Sequence, residues 1–183
     1  MERISYTSTF FRYQVKRIKL CNKVSQRIRQ QGLIINFMIE GVIITPLKQI
    51  KDNRGKIMHM LRSDTSIFKS FGEIYFSTVN PKIIKAWHLH KEATLNYVCL
   101  KGKVELALFD DRKESKTNGQ YQKIFLSPND YFLVTIPPFI WNGFKGLDQN
   151  ESFIANCLDQ PHDENEMVRK NPEDRYFSYK WEI

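Results

Sequence analysis

The chain has 183 residues and a formal net charge of +8, a length that favours one domain with a sizeable core. Residues 1–37 carry eight Lys or Arg against a single Glu, so +7 of the charge lies there and only +1 is left for residues 38–183. A nearly neutral folded part lacks the basic footprint of a nucleic-acid-binding protein. No apolar run approaches the roughly 20 residues that cross a bilayer, so we expect neither nucleic acid nor membrane as a partner.

The first 37 residues show no two-residue alternation and few turn signals. A basic amphipathic helix is one interpretation, but we expect a poorly ordered extension, because a clean strand pattern opens only at Met38. The predicted domain therefore covers residues 38–183. The three cysteines lack CxxC spacing, and the apolar surroundings of Cys99 and Cys157 favour buried, reduced thiols, as in a cytoplasmic protein.

Short apolar, β-prone runs separated by turns fill the rest of the chain and predict an all-β sandwich or barrel. One stretch, residues 163–170, has a helical pattern, with Asp163 as N-cap and Glu166 at the capping-box position. We therefore expect a short C-terminal helix after the strands. The predicted strands are 41–50, 56–61, 71–79, 94–100, 104–109, 121–126, 131–136, 140–144 and 152–157.

Two histidines stand two residues apart in a β-prone segment that precedes the turn at residues 101–103. On a strand, His88 and His90 project to one face, while Trp87 and Leu89 face the other way. Paired imidazoles inside a small barrel can bind a metal ion or transfer protons. Lys85, on the same strand, adds a cation beside them.

A metal centre needs three or four ligands, and His88 and His90 supply two. In metal-binding cupins, small β-barrels that this region resembles, a carboxylate and a later histidine complete the site. Here Leu95 and Asn142 occupy those positions, and Glu92 has the wrong spacing to substitute. We therefore expect no metal and favour proton transfer, for which an imidazole near neutrality is a competent general base.

Five segments between residue 41 and the C-terminus resemble the dTDP-4-dehydrorhamnose 3,5-epimerase family. The family's fold is a cupin-like antiparallel jelly roll, which the resemblance therefore implies for this chain. The segments are the Asp-Asn-Arg-Gly turn at 52–55, Lys-Ala-Trp-His at 85–88, Gly-Lys-Val at 102–104 with Asp-Asp-Arg at 110–112, Ile-Pro-Pro-Phe-Ile-Trp-Asn-Gly-Phe at 136–144, and an aspartate at 174 seven residues before a tryptophan at 181.

The resemblance implies a cofactor-independent isomerase of nucleotide sugars. His88 takes the place of the catalytic base, and Asp174 takes the place of the carboxylate that orients it. The base removes a proton beside the 4-keto group of a dTDP-4-keto-6-deoxyhexose, and an acid reprotonates the enolate on the opposite face. His162 lies near the position of the family's acid, a tyrosine, and is a candidate for that role.

Further residues inherit contacts with the substrate. Arg54 matches the arginine that meets the nucleotide phosphates, and Lys85 takes the place of the arginine before the base. His90, Asn142 and Trp141 are additional candidate substrate contacts. Family members pair through their sheets, so a homodimer is expected.

Two alternatives stay open. The segment from His88 to Lys91 resembles the H-x-H-K signature of sugar-nucleotide 3,4-ketoisomerases, in which both histidines move protons between C3 and C4. A non-catalytic cupin that binds a nucleotide sugar is the other alternative, because Leu95 and Asn142 replace the family's active-site lysine and second histidine. The same replacements leave open whether one or two carbon centres are inverted.

Overall fold

The computed structural model describes residues 38–182, and the predicted extension at 1–37 lies outside this part of the chain. Residues 38–182 form twelve β-strands and no helix. The strands are β1 Ile43–Pro46, β2 Gln49–Asp52, β3 Gly55–Met58, β4 Glu73–Val79, β5 Ile84–His90, β6 Leu95–Lys101, β7 Val104–Asp110, β8 Tyr121–Leu126, β9 Phe132–Ile136, β10 Ile140–Gly146, β11 Ser152–Leu158 and β12 Met167–Arg169.

Two five-stranded antiparallel sheets make up the domain. Their strand orders are β1-β9-β6-β11-β4 and β12-β5-β10-β7-β8, and β2 and β3 form a separate hairpin. From β4 to β7 and again from β8 to β12, each strand lies in the opposite sheet to the one before it. This crossing pattern is that of a jelly roll, so the fold predicted from the sequence is confirmed.

Apolar side chains from both sheets fill the space between them. Leu95 of β6, Leu106 of β7 and Ile140 of β10 are each at most 1 % exposed and belong to one buried cluster. Burying a side chain of this size contributes about 1.5–3 kcal/mol. The alternating pattern of the strands therefore produces a core between the two sheets, as expected for a sandwich.

The turn predicted at residues 101–103 lies between β6 and β7, and its conformation requires the glycine at position 102. Gly102 has a φ of +77°, and a Cβ atom added at this position would lie 2.3 Å from Oγ of Ser152. Both the backbone conformation and the close approach of β11 therefore require glycine. Cys99 and Cys157 are buried free thiols, as the sequence predicted.

The predicted helix at residues 163–170 is wrong. Asp163 caps a single turn, accepting a hydrogen bond from the backbone N–H of Asn165 at 2.8 Å, but the chain then becomes strand β12. The three residues of β12 pair with the edge of β5, with Met167 opposite His90 and Arg169 opposite His88. An open strand edge offers unpaired N–H and C=O groups, and these outweigh a weak local preference for helix.

An aromatic segment after β12 packs on the outer face of the β5-containing sheet. Phe177 stacks on Trp87 with ring centroids 4.5 Å apart and meets Trp141 edge-on at 5.3 Å. Tyr179 Oη donates a hydrogen bond of 2.6 Å to Glu105, a fully buried carboxylate of β7. This segment therefore covers the side of β5 that faces away from the core.

Substitution Phe177→Ala tests this packing. Removing a buried aromatic ring leaves a cavity against Trp87, so we expect the free energy of unfolding to fall by about 3 kcal/mol. Urea-induced unfolding followed by tryptophan fluorescence measures it. Phe71→Ala is the matched control, because that ring is 65 % exposed and its loss should cost less than about 0.5 kcal/mol. Equal losses in the two variants would contradict the packing role.

Candidate active site

A cavity of about 620 Å³ opens between the two sheets, a volume in the range of small-molecule sites. Its wall includes four of the residues singled out in the sequence: Lys85, His88, His90 and His162. It also includes Tyr97 of β6 and two cations that the sequence did not single out, Arg169 and Lys170.

Strand alternation on β5 places the two histidines as predicted. His88 and His90 line the cavity, with ring centroids 6.0 Å apart. Trp87 and Leu89 belong to the aromatic cluster on the other face of the sheet. From Trp87 to His90, the period of two residues therefore separates the polar and apolar roles of the strand.

His88 is a half-buried, neutral imidazole. Its Nε2 atom lies 3.2 Å from the hydroxyl of Tyr97. Burial lowers the pKa of His88 to about 3, and the nearby positive charges of Arg169 and Lys85 act in the same direction. A histidine with this pKa is unprotonated at pH 7, so one of its ring nitrogens has a free lone pair.

His90 forms a histidine–carboxylate pair. Its Nδ1 atom hydrogen-bonds with Oε1 of Glu166, whose other oxygen accepts the backbone N–H groups of Lys91 at 2.9 Å and Glu92 at 3.2 Å. Burial alone would raise the pKa of Glu166, but these hydrogen bonds outweigh it and hold the pKa below its usual value. An ionised Glu166 accepts a hydrogen bond from Nδ1–H and so fixes the ring's tautomer.

The second nitrogen of His90 is the unpaired atom of this pair. The side chain is buried, and Nε2 has no hydrogen-bond partner among residues 38–182. When the ring is uncharged, Nδ1–H donates the hydrogen bond to Glu166 and the lone pair lies on Nε2. His90 lines the cavity, so the site contains a second imidazole able to exchange a proton with a ligand.

Positive charge predominates on the wall. Lys85, Arg169 and Lys170 line the cavity together with one carboxylate, Glu73. Lys85 Nζ donates a 2.8 Å hydrogen bond to Ser77 Oγ across to β4. Three cations against one carboxylate suit an anionic ligand.

Asp174 lies away from His88. It accepts hydrogen bonds from the backbone N–H of Tyr176 at 2.9 Å and from Lys170 Nζ at 3.4 Å, and it is absent from the cavity wall. The structure therefore does not bring Asp174 and His88 together, although the sequence predicted that they pair. Among residues 38–182, the carboxylate that contacts a cavity histidine is Glu166, and its partner is His90.

Three other predicted contacts lie outside the cavity. Arg54 is at the exposed tip of the β2–β3 hairpin, where it pairs with Asp52 at 2.7 Å and is 85 % exposed. Trp141 packs under Phe177 on the outer face, because its neighbours Ile140 and Asn142 point inward. Asn142 is fully buried behind His88 rather than on the wall.

Three contributors to the site were missed from the sequence: Glu166, Arg169 and Lys170. Tyr97 shares the inward face of β6 with Leu95 and Cys99, so strand alternation places it. Glu166 was interpreted as part of a helix cap, because its spacing from Asp163 matches a capping box. Arg169 and Lys170 reach the wall only through the pairing of β12 with β5, and no local pattern predicts that pairing.

Neither a metal centre nor a membrane helix is found in the described part of the chain. Residues 38–182 contain no group of three or more His, Cys, Asp or Glu side chains arranged to hold a metal ion. The same residues contain no helix long and apolar enough to cross a membrane.

Comparison with known proteins identifies the family. The family model for dTDP-4-dehydrorhamnose 3,5-epimerase matches residues 36–183. A dTDP sugar isomerase from Desulfovibrio desulfuricans is 36 % identical, with a TM-score of 0.76 over 78 % of this chain and 92 % of that one.

Two curated proteins are also similar. One is the probable low-salt glycan biosynthesis epimerase Agl13 of Haloferax volcanii, 30 % identical over 64 % of this chain and 77 % of its own length. The other is the spore coat polysaccharide biosynthesis protein SpsL of Bacillus subtilis, 29 % identical over 61 % of this chain and 74 % of its own. The resemblance seen in the five sequence segments is confirmed: the chain belongs to the dTDP-4-dehydrorhamnose 3,5-epimerase family and is an isomerase-class enzyme that acts on nucleotide sugars.

Proposed function

We propose that this enzyme inverts one or two carbon centres next to the 4-keto group of a dTDP-4-keto-6-deoxyhexose, for the synthesis of a surface polysaccharide or deoxysugar. The observation that carries the proposal is His88, an uncharged imidazole on the wall of a cavity with a positive lining. Family membership supports the substrate class, and the folded domain is taken as residues 38–183. No cofactor is required, because the 4-keto group itself acidifies the protons on C3 and C5.

The reaction begins with proton removal by His88. A base that is neutral at pH 7 takes the proton from carbon, and negative charge moves onto the 4-keto oxygen. Lys85, three residues before the base on β5, lines the cavity and stabilises that charge. An acid on the opposite face, for which His162 is the candidate, returns a proton to the carbon and inverts it.

The anionic half of the substrate has its own contacts. Arg169 and Lys170 offer charge to the diphosphate at the wall, and Asp174 holds Lys170 in place through the 3.4 Å contact. We assign Asp174 this positioning role rather than the orientation of His88. Arg54 lies outside the cavity, on the exposed β2–β3 hairpin, and stays a proposed phosphate contact.

Substitution His88→Asn tests the base. Asparagine keeps a polar side chain of similar reach but does not accept a proton, so turnover of dTDP-4-keto-6-deoxyglucose should fall by about 10³-fold while dTDP-sugar affinity stays within about twofold. Product formation is measured by proton NMR and affinity by calorimetry. His59→Asn, outside the cavity, is the matched control and should retain full activity. Normal turnover in the His88 variant would reject His88 as the base.

A 3,4-ketoisomerase is the second candidate, and the His90–Glu166 pair favours it. Moving a carbonyl between C3 and C4 requires proton transfer at two adjacent positions, and two imidazoles on one strand with free ring nitrogens are suited to it. The centroid separation of 6.0 Å is compatible with both rings reaching one sugar. An epimerase would need only one of them as a base.

Substitution Glu166→Gln separates the two candidates. The glutamine amide donates to Nδ1 of His90, so the ring's proton moves to Nε2 and the lone pair leaves the cavity. A ketoisomerase should then lose about 10²-fold or more in turnover, whereas an epimerase based on His88 should lose little. NMR of the product distinguishes a 3-keto sugar from an inverted 4-keto sugar. Glu164→Gln, at an exposed position on the same loop, serves as the control.

We also propose that the protein works as a homodimer in the cytoplasm. The outward side of β4, an edge strand, exposes Ile74 at 45 % and Phe76 at 59 %, and Phe153 of β11 adds to this patch. An apolar sheet edge of this kind supports pairing with a second copy. The buried free thiols of Cys99 and Cys157 agree with a reducing compartment.

Substitution Phe76→Glu tests the dimer. A charge in the apolar patch should convert a dimer into a monomer in analytical ultracentrifugation. The control is Phe139→Glu, because Phe139 is similarly exposed, at 50 %, but follows β9 at a site distant in sequence from the β4 patch. A wild-type protein that sediments as a monomer would contradict the proposal.

A further inference from the structure

A directed hydrogen-bond chain lies behind His88. Asn142 is fully buried, and its Nδ2 donates to the backbone carbonyls of His88 at 3.1 Å and Ile140 at 3.4 Å. With the amide nitrogen committed to these two carbonyls, Oδ1 is left facing Tyr97, whose hydroxyl lies 3.4 Å away. An amide oxygen only accepts hydrogen bonds, so the proton between these two groups belongs to Tyr97.

A second asparagine holds the tyrosine beside Tyr97. Oδ1 of Asn156 accepts the backbone N–H of Asn96 at 3.0 Å, which leaves Nδ2 to donate to Tyr75 Oη at 2.9 Å. Tyr75 therefore accepts a hydrogen bond from Asn156, and it interacts with Tyr97, whose pKa it raises. The direction at Tyr97 itself is set by Asn142, whose Oδ1 accepts the hydroxyl proton in a hydrogen bond.

This direction determines what Tyr97 offers to His88. A phenol has one proton, and that of Tyr97 is donated to Asn142, so its oxygen is only an acceptor toward Nε2 of His88 at 3.2 Å. Nε2 must then carry the ring proton. Burial raises the pKa of Tyr97 well above its ordinary value, as does the neighbouring Tyr75, so the phenol keeps its proton throughout the working pH range.

The other ring nitrogen of His88 is consequently the basic one. Unlike Nε2 of His90, Nδ1 of His88 is not a buried atom without a partner. The His88 ring lines the cavity. In a neutral imidazole with Nε2 protonated, Nδ1 holds the lone pair. His90 has the opposite arrangement, with its proton on Nδ1 toward Glu166 and its lone pair on Nε2.

We propose that Tyr97, held by Asn142, is a positioning residue that keeps His88 in the Nε2–H tautomer, so that Nδ1 is the atom that takes the proton from the sugar. Tyr97 and Asn142 thereby perform the task that a carboxylate performs for His90. The inference rests on the proposed function of His88 as the base, but the tautomer itself does not depend on which sugar is bound.

The tautomer is measured by two-dimensional ¹H–¹⁵N NMR of protein labelled at histidine. The unprotonated ring nitrogen resonates far downfield of the protonated one, and His88→Asn assigns the signals. We expect His88 with a protonated Nε2 and a bare Nδ1 at pH 7, and His90 with the reverse. A His88 ring with its proton on Nδ1 would overturn the inference in the wild-type protein, without reference to any variant.

Substitution Tyr97→Phe provides the functional test. The ring is conserved and only the hydroxyl is lost, so the second tautomer of His88 should appear and kcat should fall about tenfold with KM nearly unchanged. Tyr131→Phe is the control, because that hydroxyl is buried without a partner outside the cavity and its loss should change neither the NMR signals nor kcat.

The outcomes separate the two proposals. A wild-type protein with the expected tautomer but no turnover would reject the proposed function and leave the positioning of His88 intact. Full kcat and an unchanged tautomer in Tyr97→Phe, with the control also unchanged, would reject the positioning role and leave the proposed function standing.

Discussion

The short ladder between β5 and β12 is the interaction on which the site depends. Trp87 and Lys170 exchange two backbone hydrogen bonds of 2.8 and 3.0 Å, and Lys91 N–H donates to Glu166 O at 3.0 Å. These bonds bring the loop carboxylate of Glu166 onto His90 and carry Arg169 to the cavity wall. Without this pairing, β5 would be an edge strand, and its histidines would lack both the carboxylate and the added positive charge.

The ladder is supported from outside by aromatic packing. Trp87 is 1 % exposed and contacts Phe177, Tyr179 and Trp181, so the residue directly before His88 is held by the C-terminal segment. Fixing that face restricts the rotation of the strand about its axis. The rings of His88 and His90 are therefore oriented by the fold as well as by their own hydrogen bonds, as a preorganised site requires.

The two histidines illustrate how one strand produces two different bases. Both rings lie on the same face of β5, but His90 is oriented by an ionised carboxylate and His88 by a buried phenol. A carboxylate stabilises the protonated ring after it accepts a proton, whereas a phenol does not. Burial lowers the pKa of His88 to about 3, so this ring is uncharged before it meets the substrate.

Much of the architecture could be predicted from the sequence. Alternation around His88 and His90 predicted their common face, and the glycine at 102 marked a hairpin that the structure requires for steric reasons. Order and spacing of motifs predicted the family. These features are local, so a single sequence contains them.

The missed features depend on contacts between distant segments. Glu166 and His90 are 76 residues apart, and the local pattern around Glu166 favours a helix that the open edge of β5 prevents. Asp174 matched a family spacing, yet the chain after β12 directs its carboxylate to Lys170. Trp141 follows from alternation once Ile140 is known to point inward, but the sequence alone did not fix which side of β10 faces the core.

An uncharged imidazole of β5 that acts as the base must enolise a 4-keto sugar. Proton NMR of dTDP-4-keto-6-deoxyglucose incubated with the wild-type protein in D₂O detects this step. We expect deuterium at C3, at C5 or at both, incorporated at the centres that the enzyme inverts. A sugar that binds but retains all of its carbon-bound protons would rule out enolisation and identify the protein as a binder of nucleotide sugars.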